Sequence, residues 1–157
     1  MSTFTAPWRN MSAIRTGRSF DLGKMNLSQL WFAYLTYPTI LLYFALIAGA
    51  AWAALHFSTA LWVTLIPVPV VIVVYPLAWY AIHRFILHGR WLYRNHWTAS
   101  LWKRIHFDHH QDPHLLDVLF GSPLNTVPTM AIITMPIGGL IAGWSGAFCA
   151  LSTALVM

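Results

Sequence analysis

The run from Pro38 to Phe57 (PTILLYFALIAGAAWAALHF) contains no Asp, Glu, Lys or Arg. At 1.5 Å per residue, a helix over it is about 30 Å long, the thickness of a bilayer's hydrocarbon core. A second apolar run covers Ala60 to Leu87 and is interrupted by Pro67 and Pro69. Prolines suit the first turn of a helix but break its interior, so the regular helix is expected at about Pro69 to His88, kinked near Pro76. His83 then lies about 21 Å along the axis, at the far edge of the bilayer. A third run spans about Leu124 to Ala142, Gly143-Trp144-Ser145 reads as a turn, and a fourth run begins at Gly146 and reaches Met157. The expected architecture is all-α: a polytopic membrane helix bundle of about four spans, the last incomplete, with a histidine-rich segment on the cytosolic side.

Composition agrees. Hydrophobic residues make up 58% of the chain and charged residues 8%, against about 25% charged in soluble domains. So little charge cannot cover a water-facing surface. The net charge of +5 is clustered, which points to membrane orientation and not to nucleic-acid binding. Residues 1–24 hold Arg9, Arg15, Arg18 and Lys24 and lack the compact apolar core of a cleavable signal. With a short helix over Asn26 to Leu35, residues 1–37 read as a basic cytoplasmic arm and interfacial helix, and 38–157 as the membrane domain. The arm is basic, the linker after the first span is uncharged, and the segment after the second span is basic again. The positive-inside rule therefore puts the N-terminus and the histidine-rich segment in the cytoplasm, at a bacterial inner membrane or the endoplasmic reticulum. Cys149 lies alone in an apolar run, so no disulfide framework exists.

Seven of the eight histidines fall between residues 83 and 114. His106, His109 and His110 are spaced i, i+3 and i+4, which on a helix brings three imidazoles within about 100° of one face. Neutral imidazoles converging in this way suit iron, zinc or copper. His83 and His88 are spaced i and i+5, about 140° apart on an ideal α-helix. They share a face only if the helix bulges or ends between them; otherwise they address two metals. Pro113 weakens His114 as a ligand, and His56 and His96 read as solvated or hydrogen-bonded side chains. Asp108, Asp112 and Asp117 are the acids in this segment, and Asp108 and Asp112 are candidate second-layer partners for imidazole N–H groups. Arg84, Arg90, Lys103 and Arg104 read first as headgroup anchors.

The text HRFILH (83–88), LYR (92–94) and KRIHFDHHQDPH (103–114) resembles the fatty acid hydroxylase superfamily, which includes sterol desaturases, sterol C4-methyl oxidases and fatty acid 2-hydroxylases. The resemblance covers about a third of the chain densely. It carries over His83, His88, His106, His109 and His110 as metal ligands, and four residues between the first two resemble the 2-hydroxylase branch more closely. It implies a dimetal centre, O2-dependent hydroxylation of a membrane lipid or fatty acyl chain, and electrons from a separate cytochrome b5-like or ferredoxin-like protein. Iron is expected for O2 chemistry, and zinc is also compatible with the ligands. Sterol or carotenoid oxidation on the same scaffold, or a non-catalytic metal-binding membrane protein, are the alternatives. The family's later histidine boxes do not occur here, so the expectation is a truncated chain, catalytically incomplete as given.

Overall fold

The computed structural model describes residues 24–103, 106 and 123–157. Among these the chain is helical, with no strand. A capping box, in which Asn26 Oδ1 accepts from the Gln29 N–H and Gln29 Oε1 accepts from the Asn26 N–H, starts α1 (Leu27–Thr36). Tyr37 precedes Pro38 and is extended (φ −74°, ψ 124°). A residue before proline is driven out of the helical region, so the chain turns a corner here. Pro38, whose missing N–H costs nothing in a first turn, then opens α2 (Pro38–His56).

After a turn at Phe57–Ala60, a single helical turn α3 (Leu61–Leu65) leads into α4 (Pro67–Ala81). Both Pro67 and Pro69 fall in the first turn of α4, so the regular helix begins at Pro67, two residues before the expected start, with Pro76 inside it. The α4 backbone passes without a break into a π-helical turn, Ile82–Leu87. Two short helices follow, α5 (Arg90–Arg94) and α6 (Ala99–Trp102).

The last element, α7 (Pro123–Val156), has two limbs. Ala142 (φ −141°, ψ 26°) and Gly143 (φ 60°, ψ −146°) leave helical geometry between them. The positive φ of Gly143 is a conformation other residues rarely adopt. The limbs fold back on each other: Gly138 and Gly146 meet backbone to backbone, and a Cβ built on Gly139 would lie 3.8 Å from that of Ala147. In a continuous helix residues eight apart would be about 12 Å apart. The break falls at the edge of the expected Gly143-Trp144-Ser145 turn.

Both limbs pack against α4, where Val71 and Tyr75 form a core with Ala150 and Ala154, flanked by Met130 and Ile133. Tyr43 of α2 hydrogen-bonds Thr126, and Ser152 donates to the Ile47 carbonyl at 3.4 Å. The packing is inside out by the standards of a soluble protein. Buried positions are mostly small (Ala50, Ala54, Ala147, Ala150, Ala154), while Trp52, Val73, Leu77, Ile132 and Leu140 are exposed, Leu140 by 90%. Small residues at helix contacts and large apolar ones outside are what lipid, not water, rewards. Among the described residues, three helical stretches are long and apolar enough to cross a membrane: Pro38–His56, Leu61–Leu87 and Pro123–Val156. Among the described residues no buried side-chain nitrogen or oxygen lacks a hydrogen-bond partner, as a bilayer requires.

Candidate metal centre

The i, i+5 spacing of His83 and His88 meets a backbone that matches it. In the π-helical turn the His88 N–H donates to the His83 carbonyl at 3.2 Å, an i+5 to i bond in place of the α-helical i+4 to i bond. A turn closed over five residues stacks i over i+5, so both imidazoles leave on one side. Their Nε2 atoms are 3.3 Å apart. The bulge that the spacing demanded is therefore present, and His88 is also the residue that ends the turn. Such π turns occur often at functional sites.

His106 completes the group from beyond α6. Its ring centroid is 4.9 Å from that of His83 and 4.4 Å from that of His88, and the residue is buried. One ring nitrogen from each histidine lies within 4.8 Å of the others. Bonds of about 2.0–2.1 Å to a tetrahedral metal put neighbouring nitrogens about 3.3–3.4 Å apart. The His83–His88 separation already fits, and a His106 ring nitrogen lies within 4.8 Å of both. Three imidazoles, one buried and one exposed, make a donor set suited to a borderline divalent ion with a coordination position left open.

Trp102 joins the two segments. Its indole N–H donates to the Leu87 carbonyl at 2.6 Å, and its ring lies 5.7 Å from His106 and 5.3 Å from Tyr93. Beside Lys103 and Arg104 in the sequence, Trp102 has the character of an interfacial aromatic. The available signal was its position four residues before His106, the same helical face. Arg84, on the π turn, directs its guanidinium sideways, bonding Tyr80 Oη at 2.7 Å and lying 5.8 Å from the Tyr80 and Phe85 rings.

The other expected residues divide cleanly. His109, His110, Asp108 and Asp112, with His114 and Asp117, lie outside the described residues. His96 is exposed, 4.6 Å from the Trp97 ring. His56 stacks on Trp52 at 5.2 Å and ends α2 at the bundle end opposite the trio. Comparisons with protein-family models, with curated proteins and with solved structures return no match to this chain.

Proposed function

We propose that this chain is part of an O2-dependent membrane lipid hydroxylase of the histidine-box type, acting on a fatty acyl chain, and that alone it lacks the full ligand set. The observation that carries the reading is the convergence of His83, His88 and His106 at the end of a helix long and apolar enough to cross a membrane. Ionisable groups at such depth are functional candidates by default. In this reading the trio holds one metal, His109 and His110 contribute to a second, and Asp108 and Asp112 orient imidazoles. The two limbs of α7 both lie in the membrane, and the trio faces the cytoplasm.

The overall reaction, R–H + O2 + 2 electrons + 2 H⁺ → R–OH + H2O, takes its electrons from a separate cytochrome b5-like or ferredoxin-like donor. Iron, when bound, supplies the redox chemistry that zinc lacks. The chain's own residues do the rest. His88 is exposed and leaves the site open, buried His106 closes its protein side, and the apolar spans offer an acyl chain lateral access from the bilayer. The near-tetrahedral His83–His88 spacing also favours a second reading, a zinc site in a non-catalytic protein.

One experiment separates these readings. The complete reading frame that encodes this chain is expressed in a host membrane and assayed for bound metal, and the host lipids for acyl chains heavier by one oxygen, made only under O2. His106→Ala should lose both, with metal affinity falling beyond the about 100-fold that loss of an outer-layer partner costs. Bound metal with unchanged lipids would sink the hydroxylase and keep the metal site. Absence of metal would sink both.

A further inference from the structure

The trio is assembled from two segments, the π turn and the chain that follows α6, and their ligand atoms must be held together to within about 0.5 Å for a metal to bind tightly. The π turn fixes His83 against His88 through its own backbone. It does nothing to fix either of them against His106. Tyr93, Trp102 and Leu87 do that.

We infer that Trp102 is the positioning residue of the metal centre, setting the distance between the His83–His88 pair and His106 through its bond to the Leu87 carbonyl. The acceptor is telling. The Leu87 carbonyl belongs to the peptide unit leading into His88, so a donor on it fixes the plane from which the His88 side chain springs. It is also among the last carbonyls of the turn, which have no helical partner ahead of them. At 2.6 Å the bond is short, and the same indole lies 5.7 Å from the His106 ring. Tyr93, at 5.3 Å, flanks the ring and limits its tilt. Movement of Trp102 therefore moves His106 relative to His88.

This inference rests on the reading that the trio binds a divalent metal. The probe is Co²⁺, titrated into the metal-free protein in detergent and followed by its visible ligand-field absorption. A His83→Ala/His88→Ala/His106→Ala triple variant supplies the background. Trp102→Phe keeps an aromatic ring and removes the N–H. The expected result is Co²⁺ affinity about 10- to 100-fold weaker, the range found when an outer partner of a ligand is lost, with a shifted absorption band and an almost unchanged thermal midpoint of the metal-free protein. Wild-type affinity and spectrum in the variant would overturn the inference and leave the metal site standing. Wild-type protein taking up no Co²⁺ above the triple variant would overturn both. Should Trp102→Phe not fold, benzothienylalanine at position 102, with sulfur in place of the N–H at nearly the same size, is read by the same two outcomes.

Discussion

At Gly138 the fold leaves no room for a methyl group. A Cβ there would run into the Gly146 backbone and stand 2.7 Å from the buried Ala150 Cβ. Neither neighbour is the end of a flexible side chain, so relief requires the two limbs of α7 to separate. Gly138→Ala should therefore lower stability by about 1–3 kcal/mol, the usual cost of overpacking, read as an earlier unfolding midpoint in detergent. Gly49 is the control: a Cβ there meets nothing within 4 Å, and Ala should be neutral or slightly stabilising. Equal losses at both positions would refute the close-packed hairpin. The residue scale is also where the sequence was least legible. Gly138 and Gly146 read as ordinary small residues in apolar runs, because what makes them necessary is a partner supplied only once the chain reverses at Gly143. Trp102 is the same case, since its acceptor lies across the α5–α6 segment.

Elements were legible to the extent that one physical rule dominated them. Apolar length located the long helices, and proline in a first turn set their starts, at Pro38 and at Pro67, two residues before the expected Pro69. The Asn26–Gln29 capping box likewise put a helix where residues 26–35 had suggested one. His83 and His88 were harder. Their spacing contradicted α-helical geometry, and only the need for a bulge or an end could be read; the π turn supplies both. This geometry makes a prediction that ordinary mutational intuition reverses. A π turn accommodates one residue more than an α turn, and Phe85 within it is 68% exposed. Deleting Phe85 should collapse the turn to α-helix, leave the histidines at i, i+4 on one face, and keep Co²⁺ affinity within about 10-fold of wild type. Inserting an alanine after Phe85 should instead swing His88 a further 100° or so and cost more than about 100-fold. The same titration reads both, and an insertion tolerated as well as the deletion would exclude the pairing geometry.

Across the whole molecule, charge and aromatic residues divide the bundle into two unlike ends. Tyr43 meets Thr126 near the starts of α2 and α7, while Phe57 stacks on Phe148 at 5.8 Å beside the Ala142–Gly143 break. Arg84, Arg90, Arg94 and Lys103, at or after the end of α4, therefore belong to the end that carries the histidine trio, and the linker from Phe57 to Ala60 at the other end has no charge. Translocation of basic loops is disfavoured, so the trio should face the cytoplasm, where reductants are available. Single cysteines test this directly, because the native Cys149 is buried and contributes little background. Thr59 and Asn95 are both exposed, at opposite ends. In intact cells a membrane-impermeant maleimide should label Thr59→Cys and spare Asn95→Cys until the membrane is opened. Labelling of both from outside would mean that α3, α4 and the π turn do not cross together. Reversed labelling would put the trio outside, away from any cytoplasmic electron donor. In that case the metal centre could stand but the hydroxylase could not, because the two electrons its stoichiometry requires would have no route to the site.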